Sequence, residues 1–310
     1  MRNDGVREGG LVLVTGAAGG AQGATGRQVA ELLRARGVPV RAFVRTLDER
    51  AERLRGAGAE VVTGDLRDIA QVEPALDGVD RVFFTYPVLD GLLDATAVVA
   101  AAARSAGVRR LVEVSQLSPR PGALSPRTRQ HWVSEQVFDW AGVGAVHLRA
   151  TVFYENIRAL VAVGAAGGEL AVPLGDDRNT IQLVAAGDVA RVAAALLADP
   201  ARPAEPFYRL VGAVPTIGEL VAEFGAALGI PLRYVDIDPQ EWRDRALARG
   251  GSAHTVEHLS RLWQAIGNAA NRDGATFHVT DAIETVTGAP PETLREFLRA
   301  NREALLAGSR

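Results

Sequence analysis

Glycine stands at every third position from Gly20 to Gly26, and a short apolar run and an amphipathic segment flank that stretch. Leu11 to Thr15 reads as a buried strand. Gly26 opens a helical pattern with Val29, Leu32 and Leu33 on one face, stopped by Gly37. A dinucleotide pyrophosphate needs backbone N–H groups close by and the positive end of a helix, and side chains would block that approach. Strand, glycine loop and helix in this order therefore predict a dinucleotide site. A nucleotide P-loop is excluded: it needs Gly-Lys-Ser/Thr, and all 34 basic residues of this chain are arginine.

Beyond the loop, strand and helix patterns alternate. Val40 to Val44, Val61-Val62, Val79 to Thr85, Val108 to Ser115 and Ala145 to Leu148 read as strands, with helical segments between them. Thr46 and Glu49 have capping-box spacing, as do Thr216 and Glu219, and Asp188 reads as the cap of a helix ended by Pro200. Strands joined by crossover helices form a parallel sheet covered on both faces, and such sheets bind ligands at the carboxyl ends of their strands. The expected fold is an α/β Rossmann-type, doubly wound parallel sheet with a smaller α/β substrate-covering C-terminal subdomain. Residues 1–155 form the dinucleotide domain, with 176–212 returning to it, and 156–175 and 213–310 form the covering part. Thr180 to Val184 and Leu232 to Ile237 read as strands of this second half. Arg249-Gly250-Gly251-Ser252 reads as a hinge between helices.

The second strand ends on Arg45 rather than on a carboxylate. A carboxylate there serves the ribose hydroxyl of NAD, whereas a guanidinium suits the 2′-phosphate of NADP. Composition narrows the chemistry further. Without cysteine, disulfides and thiolate catalysis are excluded, and without lysine so are Schiff bases and a Tyr-x-x-x-Lys dyad. A net charge of −3 with no basic block argues against a nucleic-acid partner. The longest apolar stretch is too short to span a bilayer, and no signal-like leader is visible, so a cytoplasmic protein without membrane association is expected.

The glycine loop, Val44-Arg45, Gly64-Asp65-Leu66, Ser115 and Arg149-Ala150-Thr151-Val152-Phe153-Tyr154-Glu155-Asn156 together resemble the NmrA-like family of atypical short-chain dehydrogenases/reductases. The resemblance extends over nearly the whole chain. It implies NADP(H) as cofactor, bound by Thr15, Gly16, Gly20, Gly23, Ala24, Thr25 and Gly26 at the loop and by Arg45 at the 2′-phosphate. Asp65 and Leu66 would lie at the adenine, with Thr85, Tyr86, Ser115, His131, Phe153 and Asn156 along the rest. One departure is visible: Thr15-Gly16 is followed by extra residues before the regular glycine spacing resumes at Gly20.

His131-Trp132-Val133-Ser134-Glu135 matches the His-x-x-x-Glu helix of the quinone-reductase branch, and His131 sits where isoflavone-reductase-like members carry their active-site lysine. A histidine titrates near neutrality, so His131 is the first candidate proton donor, with Tyr86 and Tyr154 next. Gln116, Trp132, Tyr154, His254 and Trp263 are the candidate substrate contacts. His254-Thr255-Val256-Glu257-His258 has the His-x-x-Glu-His spacing of some zinc peptidases, but Val256, Leu259, Trp263 and Ile266 give that segment a core face. No metal is expected, and pocket-lining histidines are the better reading. The expected function is hydride transfer from NADPH to a small or medium organic acceptor, a quinone, enone, imine or carbonyl, by a monomer or homodimer. Two alternatives stand beside it: a redox sensor that binds NADP(H) without turnover, and a non-redox cyclase or isomerase on the same fold.

Overall fold

A computed structural model describes residues 10–19, 24–157, 168–270 and 277–303, the side chains of 269 and 270 excepted. The first half lays down β1 (Leu11–Thr15), α1 (Thr25–Ala35), β2 (Val40–Val44), α2 (Glu49–Gly56), β3 (Glu60–Thr63), α3 (Ile69–Ala75) and β4 (Val79–Phe84). It continues through α4 (Leu92–Ala106), β5 (Arg110–Gln116), α5 (Pro126–Ala141) and β6 (Ala145–Ala150). These strands and β10 (Phe207–Leu210) make one seven-stranded sheet in the order β3-β2-β1-β4-β5-β6-β10, parallel throughout. Growth of the sheet reverses direction between β1 and β4. A crevice opens at such a switch point, outside the carboxyl ends of the strands.

The period-2 geometry of strands explains the two cores. On β1, Val12 and Val14 face one side, where Val29 and Leu33 of α1 pack with Val189, Val192 and Leu196 of α6 (Ala186–Ala198). Leu13 faces the other side, with Phe84, Val99 of α4 and Phe138 of α5. A strand buried on both faces reads as a continuous apolar run, as Leu11–Thr15 does.

The remaining elements build a third core above the carboxyl edge. They are β7 (Val152–Phe153), β8 (Glu169–Ala171), β9 (Leu183–Val184), α7 (Ile217–Leu228), β11 (Arg233–Val235), α8 (Pro239–Ala248), α9 (Ala253–Ala270) and, after α10 (Ala282–Thr287), which instead packs Ile283 and Val286 into the first core beside α6, α11 (Leu294–Ala300). Tyr154, Ile181, Phe224, Trp242, Trp263 and Phe297 pack in that third core. Of the strand expected over Thr180 to Val184 only Leu183–Val184 forms, paired parallel with β7, while β11, within the expected Leu232 to Ile237, pairs parallel with β8.

Two expected caps differ. Asp48, not Thr46, caps α2, accepting from Arg50 N at 2.9 Å and Ala51 N at 3.3 Å. Ala185 occupies the cap of α6, and Asp188 lies buried in its first turn, bound to Arg191 and accepting from Glu292 N at 2.9 Å. A carboxylate one turn later can bridge to another element, which a terminal cap cannot. The capping box at Thr216 and Glu219 is present, with both reciprocal bonds made.

Candidate functional site

A cavity of about 1310 Å³ runs along the carboxyl edge of the sheet, from the β1–α1 loop to α8 and α9. It exceeds the roughly 300–1,000 Å³ of an ordinary small-molecule site, so it has room for two ligands end to end.

At one end lie Gly16, Gly19, Ala24, Thr25 and Gly26. Gly16 has φ +63° and Gly19 φ +73°, and Gly19 N donates to Gly16 O at 3.0 Å, closing a tight turn over the extra residues. A Cβ on Gly26 would stand 2.5 Å from Thr15 O and 2.6 Å from Gly16 O, so only glycine lets α1 start this close to β1. Gly20 and Gly23 lie outside the described residues. Thr15 does not line the cavity, which corrects its assignment as a cofactor contact: its hydroxyl accepts from Thr85 N at 2.8 Å and donates to Thr85 O at 3.0 Å, clipping β1 to the end of β4.

Next along the wall come Arg45, Arg50, Asp65 and Leu66. The Arg45 side chain is 72% exposed, 3.6 Å from Asp65. Arg67 holds the Asp65 carboxylate through two bonds, 2.6 and 3.0 Å, and keeps its pKa well below the usual carboxylate range. That carboxylate is already engaged, so it leaves the Arg45 end of the cavity cationic. Sequence reasoning missed Arg50, which reaches back from α2 to Gly19 O at 3.3 Å. Its position just after the Asp48 cap was the available signal.

In the middle stand Thr85, Tyr86, Ser115, Gln116, His131, Phe153 and Asn156, all lining the cavity. Ser115 Oγ donates to Glu135 at 2.7 Å, and Arg149 grips the same carboxylate at 2.7 and 3.0 Å. The hydroxyl proton is thus directed into the protein, and Ser115 can only accept from a ligand. Tyr86 Oη donates to Asp90 O at 3.0 Å, and burial raises its pKa.

His131 is buried, and its Nδ1 has no hydrogen-bond partner. Burial first, then the charge of Arg127 and the proximity of His258, push its pKa well below 6.5. The imidazole is therefore neutral at physiological pH. This corrects the expectation of a cationic histidine, because a ring taken out of water beside a guanidinium cannot hold a second proton.

The far end is apolar. Leu170, Val172, Trp242, Leu259, Leu262, Trp263 and Ile266 form its wall, with the Trp242 and Trp263 rings 6.4 Å apart edge to face. His258 projects into this region, not His254. Gln116 Nε2 lies 3.2 Å from His258 Nε2, and His258 Nδ1 lies 2.8 Å from Ser125 Oγ. Thr128 donates to Gln116 Oε1 at 2.7 Å, which turns the amide nitrogen toward His258. The amide donates, Nε2 accepts, and the proton sits on Nδ1. Burial, with Arg127 and His254 nearby, lowers the His258 pKa to about 3.

Three further assignments are corrected. Tyr154 is wholly buried in the third core, its hydroxyl donating to Glu292 O at 3.1 Å, away from the cavity. Trp132 is half-buried on α5 and does not line the cavity. His254 pairs with Asp90 at 2.8 Å, outside the lining. Within the His-x-x-Glu-His segment, Glu257 is paired with Arg243 and Arg261, so the three side chains diverge rather than converge.

Arg127 is the other residue missed. It lines the cavity while only 1% exposed. A cation in the first turn of a helix opposes the helix dipole, so a Ser-Pro-Arg helix start was itself a signal.

The NmrA-like family model matches residues 9–298 of this chain. Among curated proteins, the (4-alkanoyl-5-oxo-2,5-dihydrofuran-3-yl)methyl phosphate reductase of Streptomyces griseus subsp. griseus is 32% identical over 306 residues, covering 95% of this chain and 99% of that one. An NAD(P)H azoreductase of Xenophilus azovorans is 28% identical over 288 residues, covering 92% and 97%. Among solved structures, an NADPH-dependent quinone oxidoreductase from Escherichia coli complexed with NADPH superposes with a TM-score of 0.81 at 23% identity, over 94% of this chain and 99% of that one. That likeness is one of fold.

Proposed function

The chain belongs to the NmrA-like family, and from that membership and the shape of its cavity we propose that it is an NADPH-dependent reductase acting on a small or medium-sized conjugated organic acceptor. One observation carries this reading. A single continuous cavity joins a glycine-lined end that carries Arg45 and the Asp48-paired Arg50 to an apolar chamber walled by two tryptophans. The first end suits a 2′-phosphorylated dinucleotide, and the second suits a planar acceptor such as a quinone, enone, imine or carbonyl. The curated relatives support reduction as the reaction, since both are named reductases.

In this reading the close approach of α1 at Gly26 leaves room for the pyrophosphate beside the N–H groups of the helix start. Arg45 and Arg50 hold the 2′-phosphate. When bound, NADPH supplies the hydride. The chain's own residues orient both partners and keep water out of the apolar chamber. Ser115, its proton committed to Glu135, accepts from the cofactor or acceptor. His131 offers one N–H as a neutral donor, and solvent completes the proton balance. The proposed acting unit is a monomer or homodimer in the cytoplasm. Among the described residues no helix is long and apolar enough to cross a membrane.

The test is oxidation of NADPH, followed by its absorbance, against a panel of naphthoquinone, an azo dye and an alkyl butenolide. Steady turnover with at least one acceptor supports the proposal. Tight NADP(H) binding with no turnover would replace it by a sensor, and absence of binding by a non-redox enzyme.

A further inference from the structure

The helix α5 starts at Ser125-Pro126 with no acidic residue in its first turn, and it places Arg127 there instead. That guanidinium is almost wholly buried. It donates to Leu89 O at 3.1 Å, Tyr86 O at 3.0 Å and Pro87 O at 2.8 Å, and its Nε has no partner. Among the described residues no carboxylate lies within 4 Å of it. Beyond the Tyr86 ring, 5.8 Å from its guanidinium carbon, it senses the carboxylate of Asp90, which is 89% exposed and lies 2.8 Å from His254.

Three carbonyls offset part of the desolvation of a guanidinium but carry no formal charge. A buried cation left in this state is costly unless an anion completes it. One helical turn on, His131 lies on the same face of α5, and its buried Nδ1 is also without a partner. Both residues line the cavity where its middle meets the apolar chamber, with Gln116 and Thr128 and with His258, which bonds Gln116. The positive end of α5 adds to the same field. The lowered pKa values of His131 and His258 both include the charge of Arg127 among their causes, so that charge is felt unneutralised across this corner.

We propose that this corner is a subsite for an oxyanion substituent of the acceptor, a carboxylate, sulfonate or phosphate ester, held by Arg127 and the neutral His131. The apolar chamber then takes the rest of an amphiphilic molecule, and the enzyme favours anionic over neutral acceptors of equal shape. This rests on the reading that the chamber is the acceptor site.

The experiment compares calorimetric binding of naphthalene sulfonate and its neutral analogue naphthamide, with and without NADP⁺, to wild type, Arg127→Gln and Arg127→Lys. The sulfonate should bind wild type about tenfold more tightly or better, the scale of a hydrogen bond to a charged group. Arg127→Gln should erase that advantage, and Arg127→Lys should keep most of it. Equal affinities in wild type, or no binding of either ligand at millimolar concentration, would overturn the proposal. So would an equal loss of both ligands in Arg127→Gln, because a guanidinium that only holds the 86–89 loop affects both alike. Turnover of naphthoquinone and its sulfonate is measured in parallel. A sulfonate preference without NADPH oxidation would keep the subsite and remove the reductase reading; oxidation without preference would do the reverse.

Discussion

Arg45 and Arg50 approach the same end of the cavity from the end of β2 and the first turn of α2. Both are partly exposed, so their attraction for a phosphate is screened by salt, and the test belongs at low ionic strength. Arg45→Ala and Arg50→Ala should each weaken NADPH binding by about tenfold, the scale of a charge-assisted bond, and leave NADH binding nearly unchanged. Fluorescence titration of both cofactors measures this; a wild type that binds them equally would sink the assignment. At His131 the expected pH behaviour follows from its neutrality. Its pKa lies well below 6.5, so the ring does not change charge from about pH 6 to pH 8, and kcat should show no histidine titration there. His131→Phe should lower kcat on the order of a hundredfold if the N–H hydrogen-bonds the atom that gains charge during reduction. A wild-type rate that falls with rising pH near 6.5, and a flat profile in His131→Asn, would restore the imidazolium that the buried environment argues against.

At the scale of elements, the junction of β1, its loop and α1 is the most constrained piece of backbone. The Cβ of a Gly26→Ala variant would stand against two carbonyl oxygens, Thr15 O and Gly16 O. Backbone cannot swing aside as a flexible side chain can, so α1 must shift. Overpacking of this kind costs roughly 1–3 kcal/mol, and the displaced helix start should abolish tight NADPH binding. Denaturant unfolding and cofactor titration read the two effects separately. A variant of wild-type stability and affinity would mean that α1 does not need this close approach. The β5–α5–β6 layer is a second constrained element. Glu135 on α5 binds Ser115 of β5 and Arg149 of β6, while Glu113 of β5 binds Ser134 of α5 at 2.8 Å and His147 of β6 at 2.6 Å. Two buried carboxylates thus tie one helix to both strands beneath the cavity floor.

For the whole molecule, α9 is the tie between the sheet and the third core. Thr255 Oγ1 donates to Val88 O at 3.1 Å, His254 pairs with Asp90, and His258 reaches Ser125 and Gln116. The His258 contact makes this tie sensitive to acid. A histidine in the unfolded chain titrates near 6.5, whereas folded His258 does so at about 3. Between these values the unfolded chain binds a proton that the folded one refuses, so stability that is full above about pH 6.5 is lost as pH falls toward 3. The loss from this group reaches about 2 kcal/mol by pH 5. Buried His131 adds in the same direction. Thermal unfolding at about pH 7 and pH 5 should therefore show a larger drop in Tm for wild type than for His258→Gln, whose amide can still bond Ser125 and Gln116. Equal drops would remove His258 from the account.

Local pattern was enough for the parallel sheet, its glycine loop and the Arg45 end, and the family resemblance together with pattern pointed to Thr85, Tyr86, Ser115, Gln116 and His131, which line the cavity. All but His131, which sits inside α5, are strand ends or adjacent turns, and strand ends in a doubly wound sheet share one edge whatever the rest of the chain does. The sequence by itself also determined the close approach at Gly26, since a missing side chain is visible without coordinates. Only the tertiary structure decided which way the remaining side chains turn. Tyr154 and Asn156 are two residues apart after β6, yet one is sealed in the third core and the other lines the cavity. His258 faces Ser125 across 133 residues of chain, while His254, one turn away, faces Asp90. Arg127 is cationic without a carboxylate beside it because three loop carbonyls, and none of the acids near it in sequence, fold around its guanidinium. Burial and charge environment are properties of contacts between distant segments, so neither the neutrality of His131 nor the buried charge of Arg127 could be read from spacing alone.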